Sequence, residues 1–119
     1  MTIRERSIGA VTIIDIGGRI AVQDGADMFR DAVQHLVGQG RFALVVNFQG
    51  VPYIDSTAVG EIVRAYTTVV RQGGSLKLLN LTPRVHEILA TTRLLTVFDS
   101  FDAEAKALES FRVPPIEPV

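Results

Sequence analysis

Two periods of hydrophobicity alternate along this chain. Over residues 2–8 and 10–16 the period is near two, and the β-branched Val11, Ile13 and Ile14 mark the second run as a strand. Gly9 between the runs predicts a tight hairpin. Gly17-Gly18 ends the second strand, and residues 19–22 continue in an extended or irregular path. From the start signal Asp24-Gly25-Ala26-Asp27 the period changes. Phe29, Ala32, Val33, Leu36 and Val37 recur at helical spacing until Gly38 and Gly40 stop the run. Residues 42–48 are short and nearly all apolar, as a strand buried on both faces must be.

A longer helix is predicted over residues 56–72. Val59, Ile62, Val63, Tyr66, Val69 and Val70 form its buried stripe, with Glu61, Arg64 and Arg71 turned away from it. Gly73-Gly74 terminates this helix, and residues 75–79 read as another strand. Thr82-Pro83 is an N-cap followed by proline at the first helical position, so a third helix carries Val85, Ile88 and Leu89 to about residue 92. A short strand is expected within residues 94–98. A last helix follows over 102–111, capped by Asp102, with Ala105, Leu108 and Phe111 inward. Residues 113–119 are proline-rich and read as a flexible tail, which leaves residues 1–112 as one domain. The order β-β-α-β-α-β-α-β-α implies an α/β domain. Its central sheet is mixed, with about four to five strands, an N-terminal β-hairpin and four α-helices packed on it.

Composition narrows the function classes. At 119 residues, 47% hydrophobic and 21% charged, the chain is long enough to bury a core without covalent staples. The net charge is -1 and the basic residues are scattered, so no basic face is offered to nucleic acid. There are no cysteines, which excludes disulfides, thiolate metal sites and cysteine nucleophiles and fits a reducing compartment. The N-terminus has no apolar signal region, and the longest apolar runs are too short to cross a bilayer. The expectation is a cytoplasmic protein without membrane insertion.

The informative chemistry lies between Val45 and Gly60. An apolar strand enters a short turn that ends in Asp55-Ser56-Thr57, and this triplet opens the long helix. Two adjacent hydroxyls therefore stand where a helix N-terminus presents unpaired N–H groups and the positive end of its dipole. A phosphate added there would meet ready-made donors. Asp and Ser are also ordinary capping residues, with a stabilising role of ~1 kcal/mol. Gly60 sits one turn into the helix, where glycine costs ~1 kcal/mol relative to alanine, so close packing is expected at that point. Tyr53, just before the triplet, is either a partner contact or packing under the turn.

No catalytic constellation accompanies this site. His35 and His86 are the only histidines and read as helix-surface residues, not metal ligands. Ser56 lacks the flanking glycines of a nucleophile elbow, and Gly17-Gly18-Arg19 lacks the spacing of a nucleotide-binding loop, so it reads as a turn. The chain is read as no enzyme, with no cofactor and no metal.

These residues carry a family resemblance. From about Ile3 to Phe111 the chain resembles a STAS domain of the stand-alone bacterial kind, the anti-sigma factor antagonists. Val51-Pro-Tyr-Ile-Asp-Ser-Thr-Ala-Val-Gly60 is the most specific part, supported by Gly73-Gly74-Ser-Leu-Lys-Leu-Leu-Asn80 and Leu95-Thr-Val-Phe-Asp-Ser100. The chain departs from the pattern at Asn47, where the family often has Asp, at Ala21, where it often has an acid, and at Thr57, where Ser is commoner. The resemblance implies a phosphorylatable hydroxyl at Thr57, with Ser56 as the alternative. It implies binding to an anti-sigma factor that is a serine/threonine kinase, release on phosphorylation, and reversal by a PP2C-type phosphatase. Asp55, Ser56, Thr57, Gly60, Glu61, Arg64 and Tyr53 are the expected partner surface. The alternative is a STAS subunit of a transporter or sensory complex that uses the same face without phosphate. The expected oligomeric state is a monomer or weak homodimer.

Overall fold

In the computed structural model, residues 2–18 and 22–111 are described, with the side chains of 22–24 excepted. The sheet has five strands in sequence order: β1 (Thr2–Ile8), β2 (Val11–Gly17), β3 (Ala43–Gly50), β4 (Ser75–Leu79) and β5 (Ser100–Phe101). β1 and β2 form the antiparallel hairpin, turned by Gly9 at φ +61°, and the later neighbours are all parallel. Four helices connect them: α1 (Val22–Gly38), α2 (Ser56–Arg71), α3 (Pro83–Thr91) and α4 (Glu104–Glu109). This is the α/β architecture expected from the element order.

Alternation along β2 and β3 assigns the two sheet faces. Ile14, Ile16, Leu44, Val46 and Phe48 point to the face covered by α1, α2 and α3 and build the main core with Phe29, Ile62 and Val69. Val11, Ile13 and Val45 point the other way, into a smaller cluster closed by Ala107 of α4. Both faces of β3 are therefore buried, which is why its sequence shows no polar alternation until Asn47.

The hairpin is tied to α4 by charge. Arg6 on β1 reaches Asp15 of β2, with Nη2 3.0 Å from Oδ1, and Glu104 of α4, with Nη2 2.6 Å from Oε1. Asn47 Nδ2 donates to Asp15 Oδ1 at 2.8 Å, and Asn80 Nδ2 donates to Asn47 Oδ1 at 3.2 Å. Asn47 thus acts as donor to one neighbour and acceptor from another, which an aspartate could not do. Burial alone would raise the Asp15 pKa, but hydrogen bonds from Arg6 and Asn47 and the charges of Arg6 and Arg4 outweigh it. The carboxyl is held below its usual range.

Several expected boundaries are corrected. α1 begins at Val22, so Asp24 lies in its first turn rather than before it. Residues 19–21 and the expected tail, residues 113–119, lie outside the described residues. No strand forms within 94–98. The backbone turns at Arg93, φ +62°, where the N–H groups of Arg93 and Leu94 close the end of α3 on Ala90 and Leu89. Leu94, Leu95 and Phe98 then pack on the main core from a turn, and the strand position goes to Ser100 and Phe101. α4 spans Glu104–Glu109 with Ala103 as its N-cap, so Asp102 does not cap it. Asp102 instead stands 3.8 Å from Lys106, and Ala107 rather than the exposed Ala105 faces the sheet.

The buried arc of α2 is also rotated from expectation. Val70 is 45% exposed, while Ala58, Ala65 and Glu61 are buried. The helix packs on α1 as well as on the sheet, and the alanines mark the side where two helices approach closely. Among the described residues, no helix is long and apolar enough to cross a membrane.

Candidate functional site

The turn between β3 and α2 is held by what it buries. Val51 and Ile54 are 0% and 1% exposed and anchor it in the core, while Pro52 between them is exposed and Tyr53 half-buried. Two hydrogen bonds to the Val51 backbone fix its start: Val51 N–H donates to Phe48 O at 2.9 Å, and the Thr82 hydroxyl donates to Val51 O at 2.6 Å. Thr82 is thus the extended residue before Pro83, as predicted, but its hydroxyl binds the turn instead of capping α3.

Asp55 is the N-cap of α2. Its backbone is extended at φ -104°, ψ -179°, and its Oδ1 accepts from Ala58 N–H at 2.9 Å. The capping reading of this aspartate is therefore correct. Ser56 and Thr57 occupy the first two helical positions, and both are exposed. By helix geometry their N–H groups have no intrahelical acceptor. The hydroxyls and these donors share one solvent-facing rim at the positive end of a helix of 16 residues.

The remaining candidates divide. Gly60 is exposed on the same stripe, and a Cβ built on it would meet nothing within 4 Å, so the expected close packing is absent within the described fold. Arg64 continues the stripe with its side chain 70% exposed. Glu61 does not belong to the open surface. Its side chain is only 9% exposed, because it faces α1 rather than solvent. It stands 3.5 Å from Arg64 through Oε1, and its Oε2 has no hydrogen-bond partner among the described residues.

Arg84 was missed from the sequence. Its guanidinium lies 5.6 Å from the centroid of the Tyr53 ring, which places a cation from the first turn of α3 beside the turn. Thr82-Pro83 signals where α3 begins, but only the docking of α3 on Val51 brings Arg84 to Tyr53. A cavity of about 700 Å³ opens nearby among Gln49, Asn80, Thr82, His86 and Lys106, at the carboxyl ends of the parallel strands. Neither Ser56 nor Thr57 lines it. Its Asn80 is already bonded to Asn47 and its Thr82 to Val51.

The STAS domain family model matches residues 3–107. The chain is 36% identical over 86 residues to an anti-sigma-B factor antagonist of Bacillus subtilis (strain 168), covering 72% of this chain and 77% of that protein. Its fold superposes on the crystal structure of an anti-sigma factor antagonist from Mycobacterium paratuberculosis with a TM-score of 0.82 at 17% identity, over 94% of each chain. A TM-score of 0.74 at 18% identity relates it to the Bacillus cell fate determinant SpoIIAA in its phosphorylated form, over 93% of this chain and all, 100%, of the other.

Proposed function

Because the chain belongs to the STAS domain family, we propose that it is an anti-sigma factor antagonist whose binding surface is the turn and first two turns of α2, switched by phosphorylation of Thr57. One observation carries this reading. Two hydroxyls stand exposed at the start of a helix whose capping residue and flanking turn are locked to the core. A rigid scaffold under exposed hydroxyls suits a surface that must be read by a kinase and by a partner. Thr57 is the acceptor on the resemblance, with Ser56 one position before it.

The chemistry is a simple exchange of charge. The γ-phosphoryl group of ATP passes to Thr57 Oγ1, which loses its proton, and ADP leaves. A phosphatase of the PP2C type hydrolyses the ester and restores the hydroxyl. The phosphate adds about -1.5 to -2 charges at pH 7. At the N-terminus of α2 the helix dipole tolerates that charge, so the fold survives. A partner packed dry against Thr57 does not survive it, since it would have to bury the new charge. Beside the hydroxyls, Pro52 is exposed and Arg84 stands over the half-buried Tyr53, and Gly60 and Arg64 are exposed further along α2. The anti-sigma factor that fits the family is a serine/threonine kinase, and its release of a sigma factor would be the output.

The test is affinity capture from native lysate with wild type and Thr57→Asp as parallel baits, read by mass spectrometry. Wild type should retain a histidine-kinase-like ATPase and Thr57→Asp should lose it. Retention of the same transporter or scaffold subunits by both baits would overturn the switch.

A further inference from the structure

Glu61 is an odd place for a carboxylate. It lies on the side of α2 that packs against α1, at the edge of a cleft of about 40 Å³ shared with Arg30, Gln34, Arg64 and Thr68. One oxygen faces Arg64 at 3.5 Å, and the other is buried without a hydrogen-bond partner among the described residues. Arg30, across the cleft, is engaged by Asp27 at 3.1 Å and Asp31 at 3.7 Å. A buried carboxylate oxygen without a donor is unfavourable, so Glu61 is held in the cleft with little to spare.

Its position on the helix matters as much as its burial. Glu61 follows Thr57 by four residues, the spacing that stacks two side chains on one helix face with Cβ atoms about 5–6 Å apart. Its carboxylate is held on the far side of that pair, beside Arg64 and nearer the C-terminus. Arg64, on the exposed stripe that carries Thr57, has its side chain 70% exposed and its Nη1 3.5 Å from Glu61.

We propose that Glu61 is the internal sensor of charge at Thr57. In the unmodified protein its carboxylate stays in the α1–α2 cleft beside Arg64. A phosphate on Thr57 draws Arg64 toward itself, which takes the ion-pair partner from the buried carboxylate and loosens the contact between α1 and α2. The modification therefore alters two surfaces, the start of α2 and the α1–α2 groove. This rests on Thr57 as the regulated site, but it requires only the charge and no particular kinase.

The experiment uses the full chain with phosphothreonine installed at position 57 during synthesis, in wild-type and Glu61→Gln backgrounds. Amide hydrogen exchange is read over residues 30–34 and 61–68. In the wild-type background the phosphate should speed exchange there by roughly threefold, as expected for two charges beside a third at this spacing. In Glu61→Gln, which keeps the shape without the charge, the acceleration should vanish. Equal acceleration in both backgrounds overturns the proposal. Should Glu61→Gln not fold, the carboxyl carbon resonance of Glu61 in the wild-type chain decides. It must move when position 57 carries phosphate, and a resonance that stays in place overturns the sensor. Phosphate that abolishes partner capture while leaving Glu61 unmoved removes the sensor and keeps the Thr57 switch. Phosphate that moves Glu61 while both forms capture the same partner removes the switch and keeps the sensor.

Discussion

Gly60→Ala is the perturbation that best separates folding from function in this protein. Gly60 is an interior residue of α2, exposed, with nothing within 4 Å of where a Cβ would stand. The added methyl therefore neither clashes nor fills a void, and the change reduces to helix propensity, about 0.8–1.0 kcal/mol in favour of alanine. For a chain of 119 residues, an unfolding entropy of about 2.1 cal/mol/K per residue turns this into a midpoint about 4 °C higher. Urea denaturation followed by circular dichroism should show a higher midpoint at unchanged slope. Gly60 also lies three residues after Thr57 and four before Arg64 on the exposed stripe. If a partner's backbone approaches α2 there, the methyl stands in its way, and binding to the captured partner should weaken while stability rises. Opposite signs in the two assays are the expected pattern. A lower unfolding midpoint would refute the reasoning, because it would mean that part of this fold packs on the helix at Gly60.

Two further outcomes follow from the packing. Asp15 is held below the usual carboxylate range in the folded state, so it stabilises the fold above its unfolded pKa of about 4 and loses that contribution as pH falls through the lower folded value. Acid titration of wild type should show this loss, and Asp15→Asn should flatten it while costing about 1–3 kcal/mol at neutral pH; an unchanged acid limb would separate Asp15 from the network. Gly74→Ala should be far more damaging than Gly60→Ala, because its Cβ would fall 2.1 Å from the carbonyl oxygen of Phe42, a backbone atom bonded to Ser75 N–H. Calorimetry should show a loss of at least about 1–3 kcal/mol, and a stability equal to wild type would mean that β3 and β4 do not meet as described.

Much of the fold was legible because hydrophobic period and turn chemistry are local. The hairpin at Gly9, the buried run of β3, the glycine stop after α2 and Thr82-Pro83 before α3 each follow from residues close in sequence. The Asp55 cap was legible for the same reason, since a cap bonds three residues ahead. Local pattern failed where a second neighbour took part. Residues 94–98 are apolar enough for a strand, but the left-handed Arg93 ends α3 and sends their side chains into the core as a turn.

The chain by itself therefore determined an α/β domain with a phosphorylatable-looking helix start, because strand period, helix period and capping are written in adjacent residues. Only the tertiary structure decided which parts of that start face solvent. It put Glu61 against α1 rather than on the surface, left Gly60 open, and carried Arg84 from another helix to Tyr53. The physical reason is the same in each case. Burial and proximity depend on the neighbouring helix, and the packing of α1 on α2, with the docking of α3 on the turn at Val51, joins residues that no spacing along the chain connects.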